Sequence, residues 1–314
     1  MSIGSINLDL QMRSDEPPGA ETIRAYAFSQ LSGGKGANRA YLARVLGHEA
    51  TLIGMVGSDH FGKEVLAPLS GIGVDVAGVG VAQGVATAVS IIVVPPDGKK
   101  HIVFAPNANE VWDQDAIELA VRALTSVPRT ALVAMDCEIG PDACSALLDA
   151  AVERGMRIVL DAAPPARALD EAVRRFWPMV YAFTPNEEEA TALTGIGIDT
   201  ESDAVRAARC LHDNGIALAC VKRRDGGCIA VSDEGAISVL AGKVDVVDST
   251  GAGDAFTGAL AVTLAEQRPL DDALRFATAA ANLAVTRWGS QQAYGRRDEI
   301  DSWSAKLTVE RIDG

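Results

Sequence analysis

Residues 247–258, with the sequence VDSTGAGDAFTG, have the pattern of a strand end, a glycine turn and the start of a helix. Apolar residues recur at Phe256, Leu260 and Leu264, which places them on one helical face. The glycines of the GAG segment let the backbone turn sharply and approach a ligand closely. The free N–H groups and the dipole at the start of the helix favour an anion there. This stretch therefore predicts an anion-binding turn between a strand and a helix.

Asp254 stands directly after this turn. A carboxylate beside an anion-binding turn is electrostatically unfavourable unless it has a chemical role. A base that takes the proton of a hydroxyl group has such a role, because the turn amides can hold the phosphoryl group that this hydroxyl attacks. The alternative is an ordinary strand-to-helix turn. The stretch is neither a dinucleotide fingerprint, which needs a third glycine where Phe256 stands, nor a Walker P-loop, which needs Gly-Lys-Ser/Thr.

The composition indicates one large globular domain, or one domain with a small appendage. The chain has 314 residues, of which 48% are hydrophobic and 22% charged, so a sizeable core is expected. The formal net charge of −14 disfavours nucleic acid and anionic membrane surfaces as partners. An anionic substrate such as ATP would be repelled at long range, so local positive potential and a divalent cation would have to bind it.

The cysteines and the apolar runs favour a cytoplasmic protein without a membrane contact. The five cysteines form no CxxC pair, as is typical of reduced thiols, and the four histidines show no zinc-ligand spacing with them. We find no signal peptide and no apolar run long enough to span a bilayer. Because the chain begins almost inside its first predicted strand, we expect either that a few residues are missing upstream or that the assigned start is late.

Two β segments interrupt an otherwise regular alternation of strands and helices. The first runs through Tyr26 and Phe28, and the second comprises residues 85–94 and 101–104. The second contains an Asp-Gly pair, which is a strong hairpin signal. We interpret both segments as one small β lid, and we expect Lys99 and Lys100 at its tip to be solvated. This divides the chain into a lid of residues 10–32 and 85–106 and a nucleotide- and substrate-binding α/β domain of residues 1–9, 33–84 and 107–314.

The remaining pattern predicts a parallel sheet with helices on both faces. Predicted strands at 131–135, 156–160 and 180–183 alternate with predicted helices near 111–124, 142–153 and 166–175. Ligands of such sheets bind at the carboxyl ends of the strands. We therefore expect four polar residues that follow strands to converge on one crevice, namely Glu138, Asp161, Asn186 and Asp254.

Two shorter motifs add donors and acceptors to this prediction. Residues 32–40, SGGKGANRA, place three glycines before a helix, and Lys35 and Asn38 offer donors. Asn7 and Asp9 lie two positions apart, so on a strand both face one side and could bind one polyol. Each motif alone is a weak signal, because glycine-rich helix starts are common and the Asn7–Asp9 pair is also compatible with a surface turn.

The stretches at 247–258 and 32–40 resemble the C-terminal and N-terminal signatures of the ribokinase-like (PfkB) carbohydrate kinases. The resemblance covers essentially the full length and is closest to the ribokinase branch, through the further matches GSINLD at 4–9, AN at 108–109 and TPNE at 184–187. It implies a doubly wound α/β fold with a mainly parallel sheet and a small β-sheet lid. Many bacterial members pair through this lid, so the resemblance also implies a homodimer.

The activity implied by the resemblance is transfer of the γ-phosphoryl group of MgATP to a primary hydroxyl of a small sugar, with D-ribose favoured. An adenosine-type nucleoside kinase, a kinase of another sugar and a non-catalytic sugar sensor are the alternatives. Retention of Asp254 argues against the sensor. In this family the base and the amides that hold the transferred group match Asp254, Gly251, Ala252 and Gly253. The sugar-contacting positions match Asn7, Asp9, Gly34, Lys35, Asn38, Glu138 and Asp254.

The resemblance also implies a nucleotide site and two cation sites. Nucleotide-binding positions match Asn186, Lys222, Arg224, Gly227, Gly253 and Thr278. Mg²⁺ would be bound largely through water by Asn186 and Glu189, although acidic residues in a first helical turn also suit the helix dipole. A monovalent cation, K⁺, would be bound mostly by backbone carbonyls at Asp248, Thr250, Ala284, Arg287 and Gly289. The chain departs from the family at Arg224, where the first glycine of a Gly-x-x-Gly loop is expected, and at Ala293, where a serine is expected.

Overall fold

A ten-stranded sheet and a four-stranded sheet run through the computed structural model, which describes residues 1–16, 19, 21–98 and 100–312. The strands in chain order are β1 (Ser2–Ile3), β2 (Asn7–Ser14), β3 (Ala25–Gly33), β4 (Thr51–Gly57), β5 (Asp75–Ala82), β6 (Ala88–Val94), β7 (His101–Ala105), β8 (Val133–Asp136), β9 (Ile158–Asp161), β10 (Ala182–Phe183), β11 (Leu218–Lys222), β12 (Cys228–Ser232), β13 (Gly235–Val239) and β14 (Val309–Ile312). The α-helices are α1 (Lys35–Val45), α2 (His60–Gly71), α3 (Gln114–Ser126), α4 (Pro141–Glu153), α5 (Pro165–Ala168), α6 (Glu171–Arg174), α7 (Glu187–Thr194), α8 (Glu201–Asp213), α9 (Ala252–Ala265), α10 (Leu270–Ala284) and α11 (Arg297–Ser304).

The large sheet has the order β14-β13-β12-β11-β10-β9-β8-β1-β4-β5. The strands from β11 to β5 are parallel, whereas β12, β13 and β14 continue the sheet in antiparallel fashion. Apolar residues of α3, α4 and α8 pack on one face, and those of α1, α9 and α10 pack on the other. The doubly wound, mainly parallel fold with a small β lid, implied by the resemblance, is therefore confirmed.

Helix α9 is the most deeply buried of the described helices, because it packs on the sheet and contacts both α1 and α10, which cover the same face. Every residue from Asp254 to Leu264 is buried. Its first turn follows the loop after β13 and lies at the carboxyl edge of the parallel strands, where such sheets bind ligands. The fold thus places the GAGD segment at this edge of the sheet, with Gly251 and Asp254 buried and Ala252 and Gly253 half-buried.

The four-stranded sheet has the order β3-β2-β6-β7 and forms the lid. Its β2–β6 pair is parallel and the other two pairs are antiparallel. Strand β2 begins at Asn7, so Asn7 and Asp9 belong to the lid sheet although the expected lid began at residue 10. The lid also carries exposed apolar side chains on β3 and β7, among them Tyr26, Phe28 and Val103.

Several local expectations differ from the structure. The helix expected near 166–175 is two single turns, α5 and α6, because the Asp170 side chain accepts a hydrogen bond from the Ala172 amide and starts a new turn. The sequence analysis does not predict β5, an edge strand that contains Gly78 and Gly80. It also does not predict α8 or the antiparallel strands β12, β13 and β14 at the other edge of the large sheet. Lys99 lies outside the described residues. Among the residues described, no helix is both long and apolar enough to cross a bilayer.

Candidate active site

The anion-binding turn depends on Gly251, which precedes the first residue of α9 with φ 75° and ψ 0°. This left-handed conformation favours glycine. A Cβ atom at Gly251 would also lie 2.8 Å from Cβ of Ser290 and 3.0 Å from Oη of Tyr294. The Tyr294 hydroxyl donates a hydrogen bond of 3.3 Å to the Gly251 carbonyl oxygen. The next residues, Ala252 and Gly253, are half-buried, and their amides belong to the first helical turn, which lacks intrahelical acceptors.

Asp254 is 7% exposed and is held by the N-terminal turn of another helix. The Asn38 side-chain amide donates a hydrogen bond of 2.7 Å to Oδ2 of Asp254. Nζ of Lys35 lies 3.8 Å from Oδ1 of Asp254. Gln291 in turn donates to the Asn38 side-chain oxygen at 3.2 Å, which fixes the orientation of the Asn38 amide. The carboxylate is therefore positioned by α1 and α9 together.

A buried chain of charges connects the two lysines of the site. Asp161 is fully buried and lies 3.8 Å from Nζ of Lys35 and 3.3 Å from Nζ of Lys222. Burial alone would raise the pKa of Asp161, but Lys222, Lys35 and Arg39 together hold this pKa well below its ordinary value. A Cβ atom on Gly253 would lie 3.4 Å from Nζ of Lys222, so this ammonium group lies beside the anion-binding turn.

A small cavity of about 190 Å³ opens next to Asp254, between the lid and the main sheet. All seven residues matched to sugar-contacting positions line it. Further lining residues come from the lid and from the turn, namely Ser90, Ile92, Lys100, Ile102, Phe104, Thr250 and Gly251. Asn7 accepts a hydrogen bond of 2.9 Å from the buried Asn109, and Glu138 accepts one of 2.8 Å from the Ser5 hydroxyl.

Two carboxyl groups of this cavity titrate near neutral pH. Burial raises the pKa of Asp9 to about 7; the hydrogen bond from Ser90 opposes this shift, and the nearby Asp254 adds to it. Burial likewise raises the pKa of Glu138 to about 7, although the ammonium group of Lys35 opposes it. At such pKa values both protonation states are accessible near neutral pH, so each carboxyl group can accept a hydrogen bond from a ligand hydroxyl group or donate one to it.

A larger cleft of about 500 Å³ lies on the other side of Asp254. It is lined by α7, by the loop after β11 and by the C-terminal part of α10, and its lining includes Asn186, Glu189, Lys222, Arg224 and Gly227. Of the four residues that were expected to converge, Glu138 lines the cavity, Asn186 lines the cleft and Asp254 lines both. Asp161 lines neither space and is buried behind Lys35 and Lys222. The cleft has the size of a small-molecule site.

The residues for a divalent cation form a capping box at the start of α7. The Asn186 side chain accepts a hydrogen bond from the Glu189 amide, and the Glu189 carboxylate accepts one from the Asn186 amide, both at 2.8 Å. Within the described part of the chain, no group of three or more His, Cys, Asp or Glu residues could hold a metal ion. This donor set fits a hydrated Mg²⁺ ion that is bound through water by Glu189, whose second carboxylate oxygen is not used by the capping box.

The residues matched to a monovalent cation site come from two loops that are hydrogen-bonded to each other. The Val247 amide donates to the Val285 carbonyl at 2.8 Å, and the Gly289 amide donates to Oδ2 of Asp248 at 3.0 Å. Asp248 also accepts from the amide and the hydroxyl of Thr250. The Gln11 side-chain amide donates to Asp248, and the Gln11 side-chain oxygen is buried without a hydrogen-bond partner among the described residues. Unpaired neutral oxygens of this kind fit a monovalent cation.

Comparison with known proteins agrees with this geometry. Residues 1–294 match the family model described as pfkB family carbohydrate kinase. The chain belongs to the pfkB family of carbohydrate kinases. It is similar to the ribokinase of Haemophilus influenzae, with 31% identity over 95% of each chain, and to a deoxyribokinase of Salmonella typhi, with 28% identity over 96% of this chain and 97% of the other. The structure of Arabidopsis thaliana ribokinase complexed with ribose and ATP superimposes with a TM-score of 0.80 at 28% identity, over 96% of this chain and 97% of the other.

This pfkB-family kinase is a phosphotransferase with an alcohol group as acceptor.

The structure corrects two expectations about individual residues of the site. Thr278, matched to a nucleotide-binding position, is fully buried inside α10 and does not line the cleft. Asn282, one turn further along α10, lines it instead and donates to the Gly226 carbonyl at 2.8 Å. The expectation that Lys100 is solvated is also wrong, because this side chain is half-buried and lines both the cleft and the cavity.

The departure at Arg224 in this kinase is accommodated at the mouth of the cleft. The Arg224 side chain is 71% exposed, and it lies 3.4 Å from the Glu187 carboxylate and 3.1 Å from that of Glu188. Gly226, with φ 90°, and Gly227 complete the turn after β11. A Cβ atom on Gly227 would lie 2.7 Å from the Val239 carbonyl oxygen, so this position requires glycine.

Sequence reasoning missed four residues that shape the site: Gln11, Lys100, Asn109 as a buried support and Gln291. Gln11 lies on a strand interior, and its side-chain amide donates to Asp248 at 2.5 Å and to Thr250 at 3.3 Å. A polar residue between apolar neighbours on β2 was the available signal. No local pattern marks Gln291, which reaches Asn38 only through the fold.

Proposed function

We propose that this kinase transfers the γ-phosphoryl group of MgATP to the primary hydroxyl of D-ribose, which yields ribose 5-phosphate and ADP. The observation that carries the proposal is the position of Asp254, which lines both the polar acceptor cavity and the nucleotide cleft. The cavity, at about 190 Å³, lies below the roughly 300–1,000 Å³ of sites for larger ligands, which favours a monosaccharide over a nucleoside. The names of the relatives support ribose as the acceptor.

Asp254 is proposed as the base for this reaction. The acceptor oxygen forms a bond to the γ-phosphorus, the bond from phosphorus to the bridging oxygen breaks, and its electron pair leaves with ADP. The hydroxyl proton moves to Asp254, whose orientation Asn38 and Lys35 maintain. The amides of Gly251, Ala252 and Gly253 would hold the oxygens of the transferred group, and Lys222 would add positive charge. Positioning and electrostatics supply most of the acceleration in such transfers.

Cations complete the proposed site. Asn186 and Glu189 would hold Mg²⁺ through water, and the ion would neutralise charge on the β- and γ-phosphate oxygens. Asp248, Thr250, Ala284, Arg287 and Gly289 would surround a K⁺ ion. The hydrogen bonds between their two loops and the unpaired oxygen of Gln11 support this assignment.

We also propose a cytoplasmic homodimer that pairs through the lid. Exposed apolar side chains on the outer strands β3 and β7 support this assembly, with Tyr26 at 59%, Phe28 at 58% and Val103 at 71% exposure. Burying such a surface against a second copy would stabilise the lid. All five cysteines are free, which supports a reducing compartment.

The proposal is tested by a coupled assay for ADP release with ribose, 2-deoxyribose, fructose and adenosine as acceptors, and with Asp254→Asn as the control. We expect the highest kcat/KM with ribose. A tenfold or larger advantage for adenosine or fructose (about 1.4 kcal/mol) would overturn ribose as the acceptor. A deoxyribose advantage of that size would favour the second candidate, a deoxyribose kinase, which the Salmonella relative supports. ADP release at the no-enzyme rate with every acceptor would favour a sugar sensor.

A further inference from the structure

Lys100, on the lid hairpin, lies where the nucleotide cleft meets the acceptor cavity. Four residues line both spaces, namely Lys35, Lys100, Gly251 and Asp254. A phosphoryl group that passes from one space to the other must travel beside these four residues. Gly251 belongs to the anion-binding turn, Asp254 is the proposed base, and Lys35 is already engaged with two carboxylates. Of these four residues, only Lys100 has no role in the reaction proposed above.

The surroundings of the Lys100 ammonium group leave its charge largely uncompensated. Its Nζ atom donates one long hydrogen bond, of 3.4 Å, to the Ser249 carbonyl. No carboxylate of the described residues lies within 4.0 Å of it. Burial lowers the pKa of Lys100 and the charge of Lys35 lowers it further, whereas Asp254, Asp248 and Asp9 act in the opposite sense from a distance. A half-buried ammonium group without a close counter-charge is unfavourable, so an anion supplied by a ligand in the adjoining spaces would stabilise it.

The lid hairpin is anchored in a way that directs Lys100 to this point. The Ser249 hydroxyl donates to the Gly98 carbonyl at 3.3 Å, and a Cβ atom on Gly98 would lie 3.1 Å from the Val246 side chain. The tip of the hairpin therefore rests on the loop that leads into Gly251. Because this loop and the turn are continuous, the position of the hairpin and the position of the anion-binding amides are linked.

We propose that Lys100 is a catalytic residue that contacts the transferred phosphoryl group from the lid side. This inference rests on the proposed kinase reaction. While the acceptor oxygen bonds to the γ-phosphorus and the bond to the ADP oxygen breaks, negative charge is spread over three equatorial oxygens. The amides of Ala252 and Gly253 face these oxygens from the main domain, and the Lys100 ammonium group faces them from the lid. The lid thus contributes charge stabilisation in addition to the exclusion of water.

The test compares Lys100→Met, which keeps the length and removes the charge, with Lys100→Arg and with Lys63→Met, a matched change at an exposed lysine of α2. We expect Lys100→Met to lower kcat roughly 10- to 100-fold, the scale of losing one donor to a transition-state anion. Its affinity for ADP with aluminium fluoride and ribose should fall about tenfold, whereas its affinity for ADP alone should change by less than about twofold. Lys100→Arg should recover much of both losses, and Lys63→Met should behave like the wild type.

Three results would overturn the inference. In the first, Lys100→Met keeps kcat and the affinity for ADP with aluminium fluoride and ribose within about threefold of the wild-type values. In the second, only the KM for the acceptor rises, so that Lys100 contacts the sugar instead. In the third, the affinities for ADP and for ADP with aluminium fluoride fall equally, which indicates a structural role. If the wild type phosphorylates no acceptor, the proposed function fails, and binding of ADP and of a non-hydrolysable ATP analogue to the same variants still reports whether Lys100 contacts the terminal phosphate.

Discussion

The side-chain amide of Asn38 donates a hydrogen bond of 2.7 Å to Oδ2 of Asp254 and thereby joins the first turns of α1 and α9. One oxygen of the carboxylate is occupied by this bond, and the other, Oδ1, faces Lys35 at 3.8 Å. Lys35 and Asn38 both come from the glycine-rich SGGKGANRA segment, so this segment orients the proposed base as well as lining the cavity. The two sequence signatures therefore form one structural unit.

Asp254→Asn should fold normally and bind sugar but lose turnover. The substitution keeps the shape of the side chain and removes its basicity, and a positioned base contributes roughly 10²–10⁴-fold to the rate. Steady-state kinetics and a thermal melting curve should be recorded on the same preparation. A variant that keeps more than about a tenth of the wild-type kcat would exclude Asp254 as the base. A large loss of melting temperature would instead indicate a structural role.

Asn38→Asp should shift the pH dependence of kcat/KM to higher pH. The change places a second carboxyl group 2.7 Å from Asp254, and two carboxylates at this distance cannot both ionise easily, so one proton is shared. The acidic limb of the pH–rate profile should move upward by roughly one unit or more. Asn214→Asp, at an exposed position after α8, is the matched control. An unchanged profile would show that Asn38 does not orient the base.

The free protein should lose stability as the pH rises through about 7, because the pKa values of Asp9 and Glu138 are raised to about 7 in the fold. A group with a raised folded-state pKa stabilises the fold fully below its unfolded pKa, and this contribution disappears as the pH passes the folded pKa. When the pH is raised from 5 to 8, the free energy of unfolding should decrease in both proteins. We expect this decrease to be roughly 1–4 kcal/mol smaller in Asp9→Asn than in the wild type. Denaturant unfolding at several pH values measures this, and parallel curves for both proteins would refute it.

Replacing K⁺ by choline should lower kcat and the melting temperature if the loops around Asp248 hold a monovalent cation. The unpaired oxygen of Gln11 lies on the lid side of these loops, and Gln11→Leu should raise the K⁺ concentration needed for half-maximal effect about threefold or more. Gln30→Leu, an exposed glutamine of β3, is the control. An enzyme with the same rate and melting temperature in K⁺ and in choline would argue against the cation site.

The sequence predicted those parts of the site that local backbone chemistry determines. The turn at Gly251 and the helix starts at Gly34 and Asn186 are each encoded within a few residues, so their patterns were readable, whereas the capping box at Asn186 is seen only in the structure. The alternation of strands and helices likewise predicted the parallel sheet, because buried strands and amphipathic helices have different periods.

Long-range pairs were not predictable in the same way. Gln291 and Asn38 form a hydrogen bond only because α10 and the following turn fold back on α1. No local sequence pattern predicts that these two residues lie next to each other. The sequence predicts a solvated Lys100, since it does not show that the hairpin tip rests on the loop before Gly251. Thr278 and Asn282 lie one helical turn apart, and the family match alone did not distinguish the buried residue from the one that lines the cleft.

Arg224 should influence the use of ATP through the carboxylates that it neutralises. Its guanidinium group lies 3.4 Å from Glu187 and 3.1 Å from Glu188, at the mouth of the nucleotide cleft. We expect Arg224→Ala to raise the KM for ATP roughly three- to tenfold, because these carboxylates then repel the triphosphate, and to leave the KM for ribose unchanged. High salt should reduce the effect, since the groups are exposed. Arg206→Ala, at another exposed ion pair, is the control.

A double substitution separates this mechanism from direct phosphate binding by Arg224. If Arg224 acts by neutralising Glu187, then adding Glu187→Gln to Arg224→Ala should return the KM for ATP to within about twofold of the wild type. Direct phosphate binding by Arg224 predicts instead that the KM stays high in the double variant. A lower KM in Arg224→Ala would show that this side chain obstructs the cleft, and an unchanged KM would show that it only faces solvent. The double substitution is informative because Glu187 is buried while Arg224 is exposed, so without Arg224 the Glu187 carboxylate keeps only Arg223, at 3.9 Å, as a positively charged neighbour among the described residues.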